Sequence, residues 1–164
     1  MFNTIEYDAF EIKKYMLDIW QCSKSPALAD IKFINGKIIW DCSGCVNVKN
    51  FVKSDKRGNI MDGYSKIISA VRKTVESMLM ASDYLIDDKN INLDPDFIWI
   101  DTKSGMVRLL PGKSDCDFID RICKLASEIG SEKLAERIKE RSDKSRMSIR
   151  EILAILSAWE LEIN

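Results

Sequence analysis

Apolar residues recur along this chain with two spacings, and each change of spacing predicts a change of element. From Tyr7 to Trp20 the apolar positions Phe10, Ile12, Tyr15, Met16, Ile19 and Trp20 fall largely at helical intervals, with Lys13, Lys14 and Asp18 between them, which predicts an amphipathic helix. Ser23-Lys24-Ser25-Pro26 breaks it. Ala27 to Ile34 and Lys37 to Cys42 are short β-rich runs joined by Asn35-Gly36, the dipeptide favoured by a two-residue type I′ turn, and they predict a β-hairpin. Ser43-Gly44 marks the next turn. Val46, Val48, Phe51 and Val52 then predict a short helix ahead of the polar loop Ser54 to Asn59.

The longest periodic segment runs from Ile60 to Tyr84, with Tyr64, Ile67, Ile68, Val71, Val75, Met78 and Leu79 on one face, and predicts a central helix. Asp87 to Asn90 loops into two short strands, about Phe97 to Asp101 and Met106 to Leu110, joined by Thr102-Lys103-Ser104-Gly105. Three helices follow, over roughly Asp115 to Ile129, Ser131 to Arg141 and Ser148 to Glu160. Ser131 lacks a full capping box, whereas Ser148-Ile149-Arg150-Glu151 fits one.

Composition narrows the chemistry. The 164 residues suit a single domain spanning residues 1–164, and a net charge of −1 gives no electrostatic case for nucleic acid as partner. Met1 to Asp8 lacks the basic start and apolar run of a signal peptide, and no later stretch reaches the roughly 18 apolar residues of a membrane helix, so cytoplasmic localisation without membrane insertion is expected. Five cysteines, an odd number, argue for reduced thiols. With no histidine, neither a histidine-based nucleophile nor a histidine-metal arrangement is available.

Leu93-Asp94-Pro95-Asp96-Phe97-Ile98-Trp99-Ile100-Asp101, followed by Gly105-Met106-Val107-Arg108-Leu109-Leu110-Pro111, resembles the catalytic segment of a protein kinase, L-K-P-E-N-I-L-L-D and G-x-V-K-L-I-D-F-G, stripped of its chemical groups. The register puts Asn92 at the catalytic-loop Asp, Asp94 at the loop Lys, Phe97 at the metal-binding Asn and Pro111 at the metal-binding Asp of D-F-G. The element order extends this resemblance. It implies an α+β, truncated protein-kinase-like (pseudokinase) domain, with residues 1–53 as a small N-lobe remnant of helix, hairpin and hinge-like turn Asp41 to Cys45, and residues 54–164 as a mostly helical C-lobe-like part. The residues ahead of the first predicted helix, Met1 to Glu6, are too few for three strands and a phosphate loop.

Trp40-Asp41-Cys42-Ser43-Gly44-Cys45, Tyr84-Leu85-Ile86-Asp87 and Leu93 to Asp101 also follow, in order, the strand-and-turn, Y-L-L-D and L-D-P-E-x-I-F-x-D patterns of an uncharacterised bacterial domain found ahead of forkhead-associated (FHA) domains. This chain is similar to that domain over roughly residues 5 to 160. It carries no FHA domain to its last residue, Asn164, which leaves the associated phosphothreonine recognition unsupported.

Each chemical candidate has a plainer structural counterpart. Asp94, Asp96 and Asp101 form either a carboxylate metal cluster or a turn and a solvated strand end, the latter favoured because calcium loops need more oxygen donors and a defined glycine. Cys42 and Cys45, with Cys116 or Cys123, offer a zinc site only if folding brings them together; small-residue packing at a turn is the preferred reading. Lys133, Arg137 and Arg141 run beside Glu132, Glu136 and Glu140, which predicts a solvated helix laced with ion pairs, or else a dock for an acidic partner. Trp159 is the best candidate for an exposed partner anchor.

No catalytic residue and no cofactor are assigned. The expectation is a non-catalytic interaction or regulatory module that binds an unidentified protein partner, an adaptor in phospho-signalling or secretion. The alternatives are a nucleotide or small-ligand sensor using a cleft near the hinge, and a small zinc-binding protein.

Overall fold

The computed structural model describes residues 3–9, 11–53 and 60–163; the expectations for Phe10 and for Ser54 to Asn59 lie outside the described residues. In chain order the elements are β1 (Thr4–Asp8), α1 (Lys14–Cys22), β2 (Ile31–Ile34), β3 (Lys37–Asp41), β4 (Cys45–Asn47), α2 (Val48–Lys53), α3 (Ile60–Ser82), β5 (Trp99–Asp101), β6 (Val107–Arg108), α4 (Phe118–Glu128), α5 (Glu132–Lys144) and α6 (Ile149–Ile163), with single 3-10 turns at Asp88–Asn90 and Pro95–Phe97. The architecture is α+β: two antiparallel three-stranded sheets, ordered β1-β3-β2 and β4-β5-β6, and six α-helices among the described residues. No helix among these residues is long and apolar enough to cross a membrane.

The hairpin forms where Asn35-Gly36 places it. Both residues adopt positive φ, 52° and 75°, the left-handed pair that a type I′ turn requires, and Ile34 pairs with Lys37 directly across it. The predicted helix from Tyr7 is corrected: Tyr7 lies in β1, and α1 begins only at Lys14. Ile5 and Tyr7 alternate with exposed Thr4, Glu6 and Asp8, a period of two that places them opposite Trp40 and Ile38 of β3. Long-range pairing overrides the local helical pattern and turns the hairpin into a sheet.

Two further expectations shift. The predicted strand from Ala27 is confined to Ile31–Ile34; Ala27 and Ala29 instead bracket Leu109, whose amide donates to the Ala27 carbonyl (2.8 Å) and whose carbonyl accepts from the Ala29 amide (2.9 Å). The predicted helix from Val46 is preceded by β4, which pairs Cys45 with Asp101 and Asn47 with Trp99. The segment before residue 53 therefore supplies one strand to the second sheet. A continuous buried core joins Leu17 and Trp20 of α1, both sheets, and the inner faces of α2 through α6.

α3 is the spine of that core, with Ile68, Val71 and Val75 fully buried. Of its buried polar groups, Thr74 donates to the Ala70 carbonyl and Ser77 to the Val107 carbonyl of β6, each at 2.8 Å, whereas the Tyr64 hydroxyl is buried without a hydrogen-bond partner among the described residues. The Ser148 box closes α6, with Glu151 accepting from the Ser148 amide (2.7 Å) and Ser148 Oγ from the Glu151 amide (3.3 Å). On α5 the described ion pairs run across helices rather than along its own rows, Lys139 to Asp120 of α4 (3.1 Å) and Arg137 to Glu162 of α6 (3.2 Å).

α3 ends two residues before the predicted Tyr84 because the chain turns left-handed at Leu85, where φ is 63°. The Leu85 amide bonds back to Ser82 and the Ile86 amide to Ala81, the pair of bonds that closes a helix through a left-handed residue. Glycine normally fills that position; leucine there costs about 1–2 kcal/mol of backbone strain. Leu85 is 81% exposed, so its side chain returns little packing. We expect Leu85→Gly to stabilise the protein by about 0.5–1 kcal/mol and raise Tm by about 1–4 °C, with Leu85→Ala giving no comparable gain because its Cβ keeps the strain. Calorimetry of the three proteins checks it; equal rises for Gly and Ala would refute the strain argument.

Candidate functional site

The segment from Asp87 to Ile98 lacks regular structure beyond its two 3-10 turns, yet Ile91, Leu93, Pro95 and Ile98 are buried, so the amides and carbonyls drawn in with them need partners from elsewhere. Three side chains meet that need in series. Asp87 accepts from the Lys89 amide (2.9 Å), Asn92 from the Asp94 amide (3.0 Å) and Asp94 from the Asp96 amide (2.9 Å), each an Asx turn. The segment after β6 runs antiparallel alongside: the Asn92 amide donates to Leu110, and the Gly112 amide to Asn90, both at 2.9 Å. A Cβ at Gly112 would lie 2.7 Å from the Asn92 backbone, so only glycine allows this approach.

Carbonyls are taken by two residues that sequence reasoning passed over. Arg121, 9% exposed on α4, donates to the carbonyls of Asp88 (2.6 Å) and Ile91 (2.5 Å) and sits 3.8 Å from the Asp88 carboxylate. Burial lowers the Arg121 pKa, and burial together with Asp87 raises that of Asp88 against the pull of Arg121. Asn47, buried at the end of β4, directs its amide nitrogen at the carbonyls of Pro95 (3.0 Å), Asp96 and Ile98 (both 3.3 Å). Their signals were a polar residue between Val46 and Val48 and an arginine between Ile119 and Ile122 on an apolar helix face.

Tyr7 closes this arrangement from the first sheet. Its ring packs on Phe97 with centroids 4.9 Å apart and planes at 54°, and its hydroxyl donates to the Pro111 carbonyl. Burial pushes the Tyr7 phenol well above its ordinary value. The structure thus gathers Asn92, Asp94, Phe97 and Pro111 into one region, and each has a structural task there: two cap turns, one stacks and one accepts a hydrogen bond.

Beside them opens a cleft of about 440 Å³, between the β1–α1 connection, the segments around Asn92 and Gly112, and α4. Half-buried Ile12 supplies apolar surface there, with Leu93, Ile91 and Leu125 buried beneath the floor. Asp8, Glu11 and Asp94 stand among its polar residues with Lys113 and Lys124. The hinge-like turn plays no part: none of Trp40 to Cys45 lines the cleft, because Trp40 is buried edge-on against Trp99 (5.9 Å, 75°) and the Cys42 thiol contacts the Asn3 carbonyl (3.1 Å).

The remaining candidates are dispersed. Cys42 is buried and Cys45 half-buried at the turn between the sheets, Cys116 is exposed at the cleft, and Cys123 contacts the Ala135 carbonyl (3.5 Å). Burial pushes the Cys42, Cys45 and Cys123 thiols up. No three Cys, Asp or Glu side chains among the described residues are grouped to hold a metal. Asp96 pairs with Lys49 (2.6 Å), while Asp101, on the central strand β5, pairs with Arg108 of β6 (3.0 Å). Trp159 is half-buried against the core rather than freely exposed, with the Arg137 guanidinium 4.0 Å above its ring.

No protein-family model matches the chain, and no curated protein matches it. Among solved structures it is similar to the Staphylococcus aureus ESSB cytoplasmic fragment, at 15% identity and a TM-score of 0.43, covering 98% of this chain and 94% of that one.

Two outcomes follow from these contacts. Tyr7→Phe keeps the ring on Phe97 and orphans the Pro111 carbonyl, so urea unfolding should show a loss of about 1–2 kcal/mol with an unchanged m-value. An unchanged midpoint would mean that the hydroxyl contributes nothing. Asp101 accepts from the Ser104 amide, the Arg108 guanidinium and the Lys103 amide, which together hold its carboxyl down at about 2. A carboxyl depressed on folding stabilises fully above its unfolded pKa of about 3.9, and that stabilisation is lost as pH falls through the folded value. Asp101→Asn should cost about 1–2 kcal/mol at pH 7, and the gap to wild type should narrow as pH falls from about 4 towards 2. Denaturant midpoints across that range measure it; a gap independent of pH would show that ionisation is not the cause.

Proposed function

We propose that this chain is a non-catalytic protein-interaction module built on a degenerate kinase-like plan, acting as an adaptor or regulator. The observation that carries this reading is Tyr7, whose ring and hydroxyl tie together Phe97 and Pro111, the two positions that the kinase resemblance matches to metal ligands. Phosphoryl transfer works by positioning phosphate and metal and stabilising their charge. An aromatic ring and a proline carbonyl engaged by a phenol supply neither charge. Asn92 and Asp94, at the positions of the base and the loop lysine, each commit a carboxamide or carboxylate oxygen to a backbone amide.

Binding remains available beside this region. The cleft combines apolar walls with exposed charges and lies within the range typical of ligand and peptide sites, about 300–1,000 Å³. As an interaction module the chain would present that cleft to another protein, while the fixed segment behind it keeps the walls in register.

The test is thermal unfolding and phosphotransfer with ATP and GTP, each with magnesium or manganese. Neither a saturable rise in Tm nor transfer to a peptide mixture is expected. A saturable nucleotide-dependent rise, abolished in Asp94→Asn, would replace this reading with a nucleotide sensor, and turnover would replace it with an enzyme.

A further inference from the structure

We infer that the cleft beside Asn92 accepts an extended segment of a partner protein in which basic and aliphatic residues alternate. This rests on the interaction-module reading above and names the occupant of its cleft.

Charge selects the sign of the partner. Asp120 is paired with Lys139, and Glu128 lies 3.7 Å from Lys124, so these carboxylates and Lys124 are already balanced. Arg121 is turned to backbone carbonyls behind the wall. Asp8, Glu11 and Asp94 line the cleft from both sides and enter no ion pair among the described residues; Lys37 and Lys49, the cations drawn to Asp8 and Asp94, are bonded to Glu6 and Asp96, which leaves exposed Lys113 against them. The uncompensated charge at the rim is therefore negative, and a cationic side chain is what it attracts.

Shape selects an extended chain. β1 is an edge strand of its sheet, and its pairing parity is set by the Ala9 amide donating to Gly36 and the Cys42 amide donating to Asn3. Residues 3, 5, 7 and 9 thus turn their backbone groups to β3, leaving Thr4, Glu6 and Asp8 with theirs on the open side. Asp8 belongs both to that edge and to the cleft. A strand added along β1 would send alternate side chains towards Ile12, the half-buried apolar residue of the cleft, and its basic residues to Asp8 and Glu11.

The probe is a fluorescein-labelled dodecapeptide of alternating Arg or Lys and Leu, followed by anisotropy, beside one with Glu for each basic residue and one with Ser for each Leu. The full chain should bind the first saturably, more weakly at higher salt and about tenfold more weakly in the D8K/E11K double variant, whose exposed sites leave folding intact by circular dichroism. The Glu and Ser peptides should bind at least about tenfold more weakly. Equal binding of the first peptide to wild type and D8K/E11K, or preference for the Glu peptide, would overturn the acidic-rim assignment while leaving an interaction module standing. Absence of saturable binding by all three also overturns it. Failure of the underlying non-catalytic reading shows separately, as nucleotide-dependent stabilisation or turnover.

Discussion

A stretch of chain outside helix and strand must find partners for the amides and carbonyls it takes out of water, and in this protein that requirement falls on the segment from Asp87 to Ile98, anchored in the core at Ile91, Leu93, Pro95 and Ile98. Arg121 and Asn47 answer it from opposite sides. One reaches from α4 to the carbonyls of Asp88 and Ile91, the other from β4 to those of Pro95, Asp96 and Ile98. Each reads backbone rather than side chain, while Asp87, Asn92 and Asp94 cap the turns between and Ile91, Leu93 and Ile98 enter the core. An arginine buried on carbonyls also fixes α4 against the loop, since removing either partner leaves an unpaired polar group in the core.

The same requirement shapes the stretch from Leu93 to Asp101. Its apolar positions, Leu93, Ile98 and Ile100, are buried core. Asp94 caps a turn and Phe97 meets the Tyr7 ring. Tyr7 then links the region to the first sheet, so the N-terminal strand, the irregular segment and the chain after β6 form one connected layer beside the helices. The cleft opens between this layer and α4.

What was legible in the sequence was local. Asn35-Gly36 dictates a hairpin because two adjacent residues that tolerate positive φ suffice for the turn, and Ser148 with Glu151 announces a helix start because the box closes within four residues. The central helix was plain from its period. β1 and β4 were not, because their stability comes from β3 and β5, which lie 33 and 54 residues further on between Thr4 and Lys37 and between Cys45 and Trp99. Tyr7 fits a helical pattern as well as a strand one, and only Ile38 across the sheet decides. At the site, Asn92, Asp94, Phe97 and Pro111 were found by resemblance, whereas Arg121 and Asn47 were hidden because their partners are carbonyls, which carry no residue identity.

The bond between Tyr7 and Pro111 spans 104 residues of chain. At synthesis rates of about 5–20 residues per second, the tyrosine is made roughly 5–20 s before the carbonyl it will bind. During that interval the hairpin of β2 and β3, which closes in about 1–10 μs, can already have formed and can hold β1 along its edge. The newborn N-terminal sheet therefore waits with its inner aromatic face uncovered, and it is in those seconds, rather than in the finished fold, that this protein is most open to unwanted company.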